Sequence, residues 1–250
     1  MARQVGLLKL VGTLGDISFY KAVYGYLARA KSGVDRKTIL TDPRFQRTRE
    51  NAFEFGRGAK AGKLVRDAIR PLLRNAKDSM TVQRLTQKMV KVLQSDTINQ
   101  RGIRTVTQGE LILLNGFDFN INAKLDTIIK TGFEAGFDRV SGAASLDLNT
   151  HIPKRDIKAP DGATHYKFSL GVAALDFDEL HFLFSMDTSE MFAYSNTPIP
   201  ATKLTAYISP GLSRPVILVL GIMFFQVVNG ENYSLKDKVF NALGVVGVFE

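Results

Sequence analysis

The 250-residue chain has no cysteine, no tryptophan and only three histidines. Missing cysteine removes disulfides, thiolate nucleophiles and cysteine-ligated zinc or iron–sulfur sites together. It leaves the compartment open, because a core of this size needs no covalent staples. Missing cysteine and tryptophan also remove the Cys–Trp–Cys hallmark of antibody-type domains. His151, His165 and His181 share no ligand spacing such as i, i+4 on a helix, so no metal or other cofactor is expected. No Gly-x-Ser-x-Gly elbow is present. The segment "GRGAKAGKLV", 56–65, fails as a phosphate loop, since Arg57 stands where the first glycine belongs and Leu64 follows Lys63. Small-residue helix packing explains it better. Asp176, Asp178 and Glu179 in "LDFDEL" read as a solvated turn or strand end. The expectation is a protein that is not an enzyme.

Long apolar runs are also scarce. The longest, "PVILVLGIMFFQVV" at 215–228, covers 14 residues, short of the roughly 20 that span a bilayer as a helix. Its β-branched and aromatic content suits a buried strand, and no membrane span is expected. Arg3 followed by "VGLLKLVGTLG" imitates a signal peptide, but Lys9 interrupts the apolar stretch and no small-residue cleavage site follows. Localisation therefore stays open, with cytoplasmic synthesis followed by assembly there or release without a signal peptide.

Positive charge is plentiful and unevenly placed. Residues 1–110 carry 22 Lys/Arg against 9 Asp/Glu, whereas residues 111–250 carry 11 against 15, within a formal net charge of +9. Such polarity suits a polyanionic partner for the first half or complementary contacts between copies of the chain.

Periodicity predicts an α+β protein. Residues 5–30 read as a β-meander: Leu8 and Leu10 alternate in one strand, Ile17, Phe19 and Lys21 in the next, and Tyr26 to Ala30 form a third. Residues 31–47 form a basic arm in which Asp42 and Pro43 can start a helical turn. From Thr48 to Lys77 the pattern is helical, with Gly58 and Gly62 on the apolar face and a kink or break expected at Arg70–Pro71. A second helix covers about 80–94. Together they predict an antiparallel hairpin whose outer face carries Lys63, Arg66, Arg70, Arg74, Lys77, Arg84, Lys88 and Lys91. The polar stretch 95–110 marks a boundary between a basic module, 1–110, and a strand-rich domain, 111–250. "LILL", "KLDTIIKT" and six further segments read as strands, and Asn229-Gly230 signals a tight hairpin. Their number and spacing predict an antiparallel, immunoglobulin-like β-sandwich.

The segments "KLVGTLGDISFYK", "GYLAR" and "RTRENAFEFGRGAKAGKLVRDAIRPLL" resemble an uncharacterised family of bacterial proteins of similar length. The late segment "VLGIMFFQVVNGENYSLKDKVFNAL" is similar to the closing hairpin of that family. The resemblance brings no activity and no site residue. It implies that the N-terminal module and the strand-rich part belong together.

Two functions fit these features. The first is a structural protein that assembles with copies of itself into a filament, tube or shell, using Leu8, Leu10, Ile17, Phe19 and Tyr26 for sheet addition. The second is a nucleic-acid-binding protein that uses the basic hairpin, with steep salt dependence. The hairpin's basic face has no interleaved aromatics for base stacking.

Overall fold

Hairpins closed by glycine open the chain. In the computed structural model, which describes residues 1–30, 33–235 and 240–250, four short strands pair in the order β1-β4-β3-β2. They are β1 (Ala2–Arg3), β2 (Gly12–Leu14), β3 (Ile17–Ala22) and β4 (Gly25–Ala30). Gly15 at φ 54° and Gly25 at φ 113° supply the backbone conformations that the two turns require. The meander from residue 12 onward follows the alternation, but Leu8 and Leu10 are not in a strand. The Gln4 side chain holds that stretch as a loop: its Oε1 accepts the Leu10 N–H at 2.8 Å and its Nε2 donates to the Leu10 carbonyl. Lys9 donates to the carbonyls of Gln4 and Gly6. These local bonds take the backbone groups that a ladder would need.

Helix α1 (Arg36–Thr41) and a 3₁₀ turn over Pro43–Phe45 follow. Asp42 caps the turn by accepting the Arg44 N–H at 2.9 Å, the local start that Asp-Pro predicts. Lys31 and Ser32, where the expected arm begins, lie outside the described residues, as do residues 236–239 of the closing segment. The chain divides into two compact units, Met1–Glu50 and Asn51–Glu250.

The boundary between the units falls within α2 (Gln46–Ala68). This helix stops at Ile69, and α3 (Arg70–Leu73) restarts it with Pro71 in its first turn. The break stands where a proline without an N–H cannot continue the ladder. Helix α4 (Thr81–Gln94) runs back along α2. A Cβ on Gly58 would lie 2.6 Å from Val90 Cγ2, and one on Gly62 would lie 3.6 Å from Leu85 Cγ. The "GRGAKAG" glycines are therefore the close-packing surface of the helical pair. No helix among the described residues is long and apolar enough to cross a membrane.

Beyond α4 the chain carries α5 (Leu125–Ile128), β5 (Phe133–Asp138), β6 (Ala143–Leu148), α6 (Pro153–Asp156) and β7 (His165–Asp176). Then come β8 (His181–Thr188), β9 (Phe192–Ala193), β10 (Thr202–Tyr207), β11 (Val216–Val228), β12 (Glu231–Ser234) and β13 (Ala242–Phe249). All pairings are antiparallel, in one sheet β10-β6-β5 and another β12-β11-β7-β8 in which β13 joins β11 and β9 joins β7. The class is α+β with antiparallel sheets that curl around a shared interior. An immunoglobulin-like sandwich is not confirmed by this pairing. Asn229 (φ 52°) and Gly230 (φ 83°) close the β11–β12 hairpin, as their sequence signals.

Two expected strands are helical turns instead. "LILL" forms a 3₁₀ turn that buries Leu111 and Leu114 and leaves Ile112 exposed. Within "KLDTIIKT", Leu125 and Ile128 face inward on α5, whose first N–H is capped by Asp118 Oδ1 at 3.0 Å. A spacing of three is a helical face, and four apolar residues are too few to reveal the period from sequence.

Strands β7 and β11 are apolar on both faces. Phe168, Leu170, Val172 and Ala174 on β7 join Leu218, Leu220, Ile222 and Phe224 on β11 in the interior core. Their neighbours Ala173, Leu175, Ile217 and Val219 join a second core with Val65, Leu72, Leu85, Met89 and Leu93 of the helical layer. Residues 95–110 lie inside this second unit. Asp96 holds them by accepting the N–H groups of Ile98, Asn99 and Thr105, each at 2.9 Å.

Candidate functional site

Pairing in the N-terminal sheet decides which side chains share a face. Ile17 and Phe19 alternate along β3, Lys21 lies opposite Tyr26, and Leu14 lies opposite Ile17. Leu14, Ile17, Phe19 and Tyr26 therefore form one apolar face, with Lys21 Nζ 5.7 Å from the centre of the Tyr26 ring. Leu8 (86% exposed) and Leu10 (51%) stand in the preceding loop, outside the paired strands. Val5, Leu7 and Val11 are exposed beside them. Leu14 stands beside the turn glycine, where the sequence alone does not reveal that it pairs with Ile17 across the hairpin. Within the first unit none of the described residues is buried.

The eight cations of the helical pair separate into groups. Arg66, Arg70, Arg74 and Lys77 line one cleft of about 730 Å³ at the corner between α2, α3 and the start of α4. Burial pulls the Arg66 guanidinium below the ordinary arginine value, and the neighbouring Asp67 partly restores it. Its Nη1 is buried without a hydrogen-bond partner among the described residues. Lys63, Lys88 and Lys91 lie on α2 and α4 and do not line the cleft.

Arg84 is committed to the fold. Its guanidinium pairs with Asp78, donates from Nη1 to the Asp118 carbonyl at 2.7 Å and from Nη2 to the Phe119 carbonyl at 3.2 Å. It also lies 5.3 Å from the centre of the Phe117 ring. Burial works against the charge on Asp78, but the Ile121 N–H, the Arg84 guanidinium and the Met80 N–H outweigh it and hold the carboxyl below its ordinary value. The lone carboxylate in "NAKDS" ahead of Thr81 was the only sequence sign of this anchor.

Strand β8 ends its sheet, paired through its main chain with β7 alone, while its last residues lie beside β10, where Asp187 Oδ2 accepts the Thr205 N–H at 2.9 Å. Phe182 and Phe184 are partly buried against one core and Leu183 against the other, while Met186 is exposed. Residues 168–202 hold Asp176, Asp178, Glu179, Asp187 and Glu190 and no Lys or Arg. Asp176 shapes the turn after β7 by accepting the N–H groups of Asp178 and Glu179, and it pairs with Arg214 at 3.1 Å.

The histidines stand apart. His151 is buried, its ring bonded to the Tyr166 hydroxyl at 2.7 Å and to the Asn149 carbonyl at 3.1 Å. Burial raises the Tyr166 hydroxyl above the ordinary tyrosine value. His165 contacts Thr164, and His181 is exposed. Among the described residues no group of three or more His, Cys, Asp or Glu is disposed to hold a metal ion. No family model, curated protein or solved structure matches the chain.

Proposed function

We propose that this is a non-enzymatic structural protein that assembles with copies of itself, residues 1–30 of one copy adding to the β8 edge ahead of Asp187 in the next. The observation that carries the reading is the first unit, whose described residues include none that is buried. A sheet of four short strands is marginal in water without a cover for its apolar face. Leu14, Ile17, Phe19 and Tyr26 supply such a face. An unpaired strand edge supplies main-chain hydrogen bonds to a strand that docks on it. Charge is complementary: residues 1–30 carry Arg3, Lys9, Lys21 and Arg29 against Asp16, and residues 168–202 carry five carboxylates, of which Asp176 is paired with Arg214 and Asp187 accepts the Thr205 N–H. Donor and acceptor are different surfaces, so the contact is head-to-tail and repeats into a filament, tube or closed ring or shell.

Light scattering and electron microscopy of the full chain over a range of concentrations test the reading. Large regular assemblies are expected at high concentration. Leu14→Asp with Phe19→Asp, or removal of residues 1–33, should leave a folded monomer, because both hydrophobic cores lie wholly beyond residue 50. Met186→Lys should weaken assembly from the acceptor side. A full chain that stays monomeric at high concentration refutes the proposal.

A further inference from the structure

The cleft at the helical corner gathers more cations than its lining carboxylates offset. Arg66, Arg70, Arg74 and Lys77 line its roughly 730 Å³, and their side chains make no hydrogen bond or ion pair among the described residues. Two carboxylates share the lining, Asp67 and Asp78, and Asp78 is already held by Arg84. A solvated basic face would spread its charges along a helix and keep every guanidinium N–H in water. Here the charges converge on a concavity, and Arg66 keeps Nη1 buried beside Gly62 without a hydrogen-bond partner among the described residues, an arrangement that costs stability. Ser79 and Asn122 at the rim add neutral donors. The volume falls within the few-hundred to thousand Å³ range of small-molecule sites.

We propose that this cleft binds a small anion bearing several phosphate groups, recognised through its phosphates. Guanidinium forks match phosphate oxygens in pairs, and three arginines with one lysine suit a chain of two or three phosphates. Among the described residues no aromatic side chain lines the cleft to stack a base. The shared chemistry covers inorganic polyphosphate and the phosphate tail of a nucleotide. A nucleic-acid backbone would instead track along an extended surface, and Lys63, Lys88 and Lys91 stand outside the concavity.

Isothermal titration of the full chain at low salt with sodium tripolyphosphate, with ATP and with a short DNA duplex tests the proposal. Tripolyphosphate should bind saturably, and comparable affinity for ATP would assign recognition to the phosphates. The exposed pair Arg70→Gln with Arg74→Gln should weaken binding at least about tenfold, while Lys88→Gln with Lys91→Gln leaves it unchanged. Arg66→Met keeps the aliphatic packing and removes the orphaned N–H. It should therefore bind less tightly yet melt no lower than the parent, a separation that a merely structural arginine would not give. Absent tripolyphosphate binding, equal losses in both double variants, or affinity for the duplex alone would each overturn the site.

Discussion

Replacing Arg84 by glutamine separates a cation that binds partners from one that holds the fold. In the parent, Arg84 bridges Asp78 and the carbonyls of Asp118 and Phe119. The Asp78 side chain is only 4% exposed and that of Arg84 22%. A hydrogen bond to a charged group contributes about 1.5–3 kcal/mol, and breaking a buried pair costs about 3–5 kcal/mol because the remaining charge loses its partner. Water reaches part of the guanidinium, so about 3 kcal/mol is the expected loss. For a protein of this size it lowers Tm by roughly 6–12 °C, readable by calorimetry or circular dichroism. The pH dependence follows from Asp78. Its folded-state carboxyl lies below the ordinary value, so its stabilisation is complete above the unfolded value near 4 and fades as pH falls through the lower folded one. The deficit of Arg84→Gln should accordingly shrink as pH falls below the unfolded value, because protonation of Asp78 removes the charge that Arg84 pairs with. Arg70→Gln, on an exposed side chain without a partner among the described residues, should stay within about 0.5 kcal/mol of the parent. If Arg84→Gln melts within about 1 °C of the parent and instead weakens polyanion binding, the structural assignment of Arg84 is wrong.

Two further substitutions probe the packing. Gly171→Ala would set a Cβ 2.7 Å from Leu72 Cδ1, 2.8 Å from Val219 Cγ2 and 3.1 Å from Phe184 Cε2, so a loss of about 1–3 kcal/mol is expected in urea unfolding. An unchanged midpoint would mean that α3 does not rest on β7 there. Asp96→Ala should release the loop that follows α4, seen as faster hydrogen exchange at Ile98, Asn99 and Thr105. Burial opposes the Asp96 charge, but those N–H groups and the Asn99 side chain hold its carboxyl far below the usual range. The clamp should therefore persist in the parent down through pH 4 and weaken only in stronger acid.

Features governed by neighbouring residues were legible in the sequence. Pro71 announces the break at Ile69, Asp42-Pro43 a helical turn, Asn229-Gly230 a hairpin, and the spacing of Gly58 and Gly62 a close helix contact. Features that depend on remote partners were not. Arg84 fits the spacing of the basic face, yet its acceptors Asp118 and Phe119 lie 34 and 35 residues away. His151 gives no local hint that it meets Tyr166 across the interior. Leu8 and Leu10 alternate like a strand, but Gln4 competes for the same backbone groups. The candidate cleft was half visible: periodicity put Arg66, Arg70, Arg74 and Lys77 on one side, while the concavity arises from the corner that Pro71 imposes and the start of α4.

That corner rests on an empty space. Gly171 has no side chain, and the Cδ1 of Leu72 occupies the place that a methyl group would need. Leu72 and Leu73 belong to the core shared with β7 and β11, and Arg70 and Arg74 flank this pair in the chain. The absence of one carbon atom on a central strand thus acts as a socket for α3. Charges at the protein's surface take their separation from a missing atom in its interior, so a designer who wished to retune the cleft could leave every arginine untouched.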